Sequence, residues 1–404
     1  MLAGQFALLA TFLLVPWGKT STLPPPSSER SSRRFANCYQ PEERNRLRYV
    51  PHHLLHSNRS REVDPSRVPI FCVFRNTAYR DFKNILYRLG TVPHSLCTHL
   101  LYHSARYSSG AIASRDKLFD EVYQGFTIAA NMRRVWSHLR VLLTVSVSEP
   151  ETAEFSDSIQ SGVKITVFRE AAYRWLTRHK FDGLNLDWPH AGGPCGADSD
   201  VANYAALLRS LKARFESRFL LTVTVPGELS DVSKSLDLRA ASEVADFLLL
   251  RSERRKNWKP YKYDCPGHAV APVFFALKAL APTAKICFSI SFEVRAFKTS
   301  WNRSVVVPAD PTPYTGTAGL RAFSEVCEAY DVRVDPVKYC TLASSSRKVK
   351  LALETPRSIS QKLQVLSRPC VVLWGMEFDD FEGYCSPGSR DPWPLTAAVY
   401  NALN

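Results

Sequence analysis

From about residue 68 onward, short β-branched and aromatic runs alternate with longer stretches whose apolar residues recur at steps of three and four. The runs predict strands at Val68–Arg75, Leu96–Tyr102, Arg140–Ser146, Gly183–Trp188, Leu220–Val225, Ala245–Leu250, Lys285–Ser291 and Cys370–Met376. Several are apolar without a break, as strands covered on both faces should be. Between them the period changes. In 201–216, Val201, Tyr204, Leu207, Leu208, Leu211 and Phe215 mark one face of a helix. In 163–176, Val163, Val167, Phe168, Ala171, Trp175 and Leu176 predict a second such face. Strand–helix alternation calls for parallel strands, and eight units suggest an α/β fold closed as a (β/α)8 TIM barrel, although a doubly wound open sheet produces a similar pattern. Successive strand starts lie 28, 44, 43, 37, 25, 40 and 85 residues apart. The last interval is twice the usual unit, so a small insertion is expected between strands 7 and 8, at about 297–354. It is too short to be an independent domain.

The chain ahead of the strands reads differently. Residues 1–15 form an apolar run followed by Pro16, Trp17 and Gly18. That length suits a secretory signal peptide, assigned to 1–21, without the usual positive start or a clear small-x-small cleavage site. Residues 22–66 are rich in Ser, Pro, Arg and His and lack an apolar period, which predicts a basic, irregular leader before a folded part spanning 67–404. His52, His53 and His56 fall in that leader without a complete ligand set, so no metal and no cofactor are expected. Ten cysteines, an even number, fit an oxidising compartment. Asn58 and Asn302 head glycosylation sequons that are usable only on a secreted chain. The expected location is therefore extracellular. A net charge of +14 over 404 residues, with a pI near 9.3, favours anionic partners. With 45% hydrophobic residues and no low-complexity period, a disordered chain, a collagen and a coiled coil are excluded. No apolar run approaches the roughly 20 residues that span a bilayer.

The stretch Lys180-Phe-Asp-Gly-Leu-Asn-Leu-Asp-Trp-Pro189 resembles the fourth-strand signature of family-18 chitinases, D-G-x-D-x-D-W-E. Other segments resemble the family in order: Ile70–Phe74 and Ser95–Tyr102 its first two strands, Leu373–Phe381 its eighth, and Gly319–Cys327 the helix of its insertion. The resemblance covers roughly 67–404. It implies the barrel, an α+β insertion, and the pairings Cys72–Cys97 and Cys327–Cys385. Cys195 and Cys265 fall in loops where they could bridge across one barrel face, and Cys287, within a strand, reads as a buried thiol.

The departures carry the functional expectation. In the family, the substrate's acetamide is the nucleophile, the motif's final Glu is the acid, and the Asp two residues earlier orients the acetamide. Carried over by position, the acid falls on Pro189, the orienting residue on Asp187 and the preceding motif Asp on Asn185, with Asp182 retained at the motif's start. Proline has no proton to donate at any pH, so general acid catalysis is lost. The third-strand S-x-G-G corresponds to Ser146–Pro150, the sixth-strand M-x-Y-D to Arg251–Arg254, and the seventh-strand Tyr to Glu293. This degeneracy resembles chitinase-like lectins and imaginal-disc growth factors, and implies a secreted pseudo-enzyme. The alternative is a hydrolase of N-acetylglucosamine polymers with a rearranged acid. Glu149, Glu253 and Glu293 are candidates for it, or salt-bridge partners of Arg251, Arg254 or Arg295.

What would bind instead is suggested by aromatic and basic residues. Trp374 matches the family Trp beneath the innermost sugar, although a Trp there also serves as a core plug. In Arg251–Tyr263, six of thirteen residues are Arg or Lys, among them Arg254, Arg255 and Lys256, and Trp258 is one of three interleaved aromatics. A solvated charge run explains that stretch equally well. Chitin-like or sulfated glycans are the expected ligands, a cell-surface receptor is a further expected partner, and nucleic acid is not expected.

Overall fold

The computed structural model describes residues 67–82, 85, 87–251, 270–299, 306–334, 340–346, 349–385 and 391–404. The signal segment, the leader, both sequons, Glu253, Arg254, Arg255, Lys256, Trp258 and Cys265 lie outside these residues.

Eight parallel strands close on themselves: β1 (Ile70–Arg75), β2 (His99–Ser108), β3 (Arg140–Ser146), β4 (Gly183–Asp187), β5 (Leu220–Pro226), β6 (Phe247–Arg251), β7 (Ile286–Ser291) and β8 (Val371–Trp374). Each pairs with its successor, and β1 pairs with both β2 and β8. That closure excludes the open sheet and gives the (β/α)8 barrel. Alternation along the strands fixes what faces inward. Phe71, Val73, Leu101, Leu142, Leu249, Cys287, Val372 and Trp374 form the apolar filling of the barrel. A larger core lies between the strands and the surrounding helices.

The helix Asp200–Phe215 buries Tyr204, Leu207, Leu208, Leu211 and Phe215, as the period predicts. The helix Gly162–His179 is turned relative to its predicted face. Its buried seam is Ile165, Phe168, Ala172 and Leu176, with Ala171 beside it, whereas Val163 and Val167 are 75% and 46% exposed. The steps 3, 4 and 4 from Ile165 follow the helical period, and the two valines lie off that seam. Among the described residues, no helix is long and apolar enough to cross a membrane.

The insertion begins slightly earlier than expected, at Val294. Its described part is a six-stranded antiparallel sheet made by Val294–Thr299, Val306–Pro308, Leu320–Arg321, Tyr330–Val334, Thr341–Ser346 and Val349–Leu353. The stretch 319–327 is not the implied helix. Gly319 takes a φ of +73°, Leu320 pairs with Arg295, and only a single turn, Phe323–Glu325, follows. Edge pairing claims the backbone groups that a helix would use.

Cys72–Cys97 and Cys327–Cys385 are disulfides, with Cα separations of 5.9 and 5.8 Å. Cys287 is not a thiol. It is bonded to Cys370, with Cα atoms 4.5 Å apart, because the register that sets Val371 against Phe288 brings the preceding two cysteines side by side. Cys195 and Cys340 are also disulfide-bonded.

Candidate functional site

The inward positions change character toward the strand ends. A middle layer of Thr144, Asn185, Thr222, Thr224 and Ser289 sits above the apolar filling, all buried. Asn185 is fully engaged there. Its amide donates to Thr144 Oγ1 (3.3 Å) and Thr224 Oγ1 (2.9 Å), and its carbonyl accepts from Thr222 Oγ1 (2.8 Å). An aspartate could accept from these hydroxyls but would add a second buried negative charge one turn of the pleat below Asp187. The amide avoids that cost.

The next inward residues are Arg75, His103, Ser146, Asp187, Arg251 and Trp374; all but His103, which lies midway along β2 opposite Arg75, end their strands. Asp187 is the centre of this layer. Its side chain is fully buried, and its Oδ2 accepts from Arg251 Nη1 at 2.6 Å and from Ser146 Oγ at 2.9 Å, with His103 Nε2 at 3.4 Å. Burial alone would raise its pKa, but the Arg251 charge, with His103 and Ser146, outweighs burial and holds the carboxyl well below the usual carboxylate range. Asp187 Oδ1 is buried and takes no hydrogen bond among the described residues.

Trp374 is completely buried. Its indole N–H donates to the Leu250 carbonyl at 2.9 Å, the Arg251 guanidinium lies 5.3 Å from its ring centroid, and the His103 ring meets it edge-on at 5.9 Å. Of its two expected roles, the surroundings are those of a barrel plug covered by a cation, with no open face in this arrangement. Beside it, Arg75 pairs with the buried Glu377.

The remaining expected residues are dispersed. Asp182 lies at the opposite end of β4, bonded to Arg133 Nη1 (2.6 Å) and the Val141 N–H (2.8 Å), where it anchors the start of the strand. Trp188 is buried against Phe155 and Tyr204, its N–H 3.3 Å from Thr152 Oγ1. Pro189 follows in a turn, partly exposed. Glu149 is on a single turn, Glu149–Glu151, whose Glu151 takes Arg115 at 2.9 Å. Glu293 is buried just beyond β7. The sequence reading missed His103, Arg75 and Glu377. Their signal is positional: Arg75 is the last inward residue of β1, and His103 is paired with it across β1 and β2.

Chemically, the layer holds a carboxylate locked to a guanidinium, with no acid at the motif's end. A sequence model of glycosyl hydrolases family 18 matches residues 70–378. "Probable chitinase 2" of Drosophila melanogaster is 25% identical over 336 residues, covering 74% of this chain and 69% of that protein. The Ostrinia furnacalis group IV chitinase superposes with a TM-score of 0.71 at 18% identity, covering 84% of this chain and 100% of the other. Human YKL-39, described as a pseudo-chitinase with retained chitooligosaccharide binding properties, superposes with a TM-score of 0.69 at 20% identity, covering 83% and 99%. At these identities the structural likenesses establish the fold.

Proposed function

Because the chain belongs to glycosyl hydrolase family 18, we propose that it is a secreted, non-catalytic chitinase-like protein that binds glycans at the C-terminal face of its barrel. The observation that carries this reading is the Asp187–Arg251 pair at 2.6 Å. An acetamide-orienting carboxylate must offer an oxygen to the substrate's N–H. Here Oδ2 is occupied by Arg251 and Ser146, and Oδ1 is buried. Pro189, at the acid position, supplies no proton, so orientation and protonation fail separately.

Chitin-like oligosaccharides are the first ligand class to test, in line with the property ascribed to YKL-39. Anionic glycans are the second, on account of the basic residues in Arg251–Tyr263. Three disulfides support an oxidising, extracellular setting.

The test is release of a chromophore from a chitin-oligosaccharide glycoside, followed from acid to neutral pH, alongside calorimetric titration with the unlabelled oligosaccharide. No turnover is expected from the parent or from Pro189→Glu, because Asp187 stays locked in both. Robust turnover by the parent overturns the proposal in favour of a rearranged acid. Turnover by Pro189→Glu alone overturns the claim that the site is disabled at more than one point.

A further inference from the structure

The opposite end of the barrel has its own charge pattern. Backbone hydrogen bonds stitch the strand entries into one rim: Arg140 N–H to Thr98 O (3.0 Å), Asp182 N–H to Val141 O (2.7 Å), Leu220 N–H to Asp182 O (3.0 Å) and Asp246 N–H to Leu221 O (2.8 Å). Strand neighbours lie roughly 4.8 Å apart, so the entries of β3, β4 and β5 occupy an arc of about 10 Å. At these entries, and at the helix ends and the loop that lead into them, Arg134, Arg140, Arg178, Lys180 and Arg218 are all exposed, Arg218 also donating to Tyr173 Oη at 2.6 Å. The acids nearby are committed. Asp182 is bonded to Arg133, and Asp246 to Lys212 at 2.6 Å and to the Leu221 N–H at 2.8 Å. Glu216 is the one exposed carboxylate between the helix Asp200–Phe215 and β5.

Cations at helix C-termini complement the helix dipole, which accounts for Arg134 and Arg178 in last turns and Lys180 at a C-cap. It does not account for Arg140, which opens β3, or for Arg218, in a loop. Five exposed cations against two exposed carboxylates, Glu216 and Glu121, the latter near enough to act on His179, set up a positive potential that extends about a Debye length into solvent. The arc is also rigid, because its backbone is bonded into the barrel on both sides.

We infer that this N-terminal rim, at β3–β5, is a docking surface for a sulfated polysaccharide chain, separate from the C-terminal face. Repeating sulfates present negative charge along a line, which an arc of fixed cations meets at several points at once. Affinity from such contacts falls steeply with salt.

The probe is a heparin oligosaccharide, with full-length protein and dissociation constants measured across a salt series. One variant combines Arg134→Gln, Arg140→Gln, Arg178→Gln and Lys180→Asn. These side chains make no hydrogen bond or ion pair among the described residues, and Asn suits the left-handed conformation at 180 (φ 61°). A second variant combines Arg254→Gln, Arg255→Gln and Lys256→Gln. The rim variant is expected to bind at least tenfold more weakly with a shallower salt dependence, its melting temperature unchanged. The second variant removes cations already proposed for the C-terminal face, so it too is expected to weaken heparin binding, but by less than the rim variant. Failure of the parent to bind, loss confined to the second variant, or equal loss in both overturns the inference. So does loss of binding to anionic lipid vesicles with heparin binding intact. Chitin-oligosaccharide binding should be the same in the rim variant and the parent, so failure here leaves the reading of the C-terminal face to its own test.

Discussion

Replacing Arg251 by Met isolates the feature on which the functional reading turns. Methionine keeps an unbranched apolar chain over Trp374 and removes only the guanidinium. Asp187, fully buried, then keeps Ser146 and His103 but loses Arg251 at 2.6 Å, its permanently charged partner among the described residues. Removing one member of a buried ion pair costs about 3–5 kcal/mol. A ceiling applies, because a carboxyl too costly to keep charged takes up a proton instead. From an unfolded pKa of about 3.9, that alternative costs about 5 kcal/mol at pH 7.5 but only about 1.5 kcal/mol at pH 5. The expected loss is therefore about 3–5 kcal/mol at pH 7.5 and smaller at pH 5, where taking up a proton is the cheaper escape.

The sign follows from the two folded states. In the parent, the Asp187 pKa is depressed, so its contribution is present above the unfolded pKa and is lost only as pH falls through the lower folded value. In the variant the folded pKa is raised, so stability falls as pH rises above about 4. Urea unfolding with disulfides intact, at both pH values, measures the difference. The double variant Arg251→Met/Asp187→Asn should recover at least half of the loss and show no such pH dependence. A loss below about 1 kcal/mol at pH 7.5, an equal loss at both pH values, or a double variant no better than the single refutes the argument.

Two further outcomes are expected. Phe168→Ala should cost about 3–5 kcal/mol, whereas Val167→Ala, on the exposed side of the same helix, should stay within about 0.5 kcal/mol; comparable losses in urea unfolding would restore the face predicted from sequence. Asp379 is buried, which pushes its pKa up to about 6 even though it accepts from the N–H groups of Leu395, Thr396 and Asp380. Its contribution is thus fully present below pH 4 and lost as pH rises through about 6. Asp379→Asn should flatten that part of the stability profile, and an unaltered slope between pH 4 and 6 would count against the assignment.

The strands were legible because a strand covered on both faces is largely apolar, as Val141–Leu143 of β3 and all of β8 are. The helix Asp200–Phe215 was legible for a similar reason, since only one of its faces is apolar. In Gly162–His179 two apolar seams compete, and Val163 and Val167 on one are as hydrophobic as Ile165 on the other. Packing against the barrel, which sequence does not display, chooses between them. Cys287 was misread because its partner depends on the register of two strands 83 residues apart.

The site divides along the same line. The proposed loss of the acid at Pro189 is argued from sequence, because the missing proton is a property of one residue type. The locking of Asp187 was not, because it is a property of groups distant in sequence. Ser146 and Arg251 stand 41 and 64 residues away, and His103 stands 84 away. Ser146 and Arg251 fell in two different motifs, and His103 in none. Closure of the barrel brings them to one carboxylate, where an Arg at the position of the motif's Met on β6 becomes a counter-charge for an aspartate on β4. A retained motif residue therefore says little about retained chemistry until its neighbours across the barrel are known: Asp187 keeps the family's identity at its position, while its Oδ2 is held by Arg251.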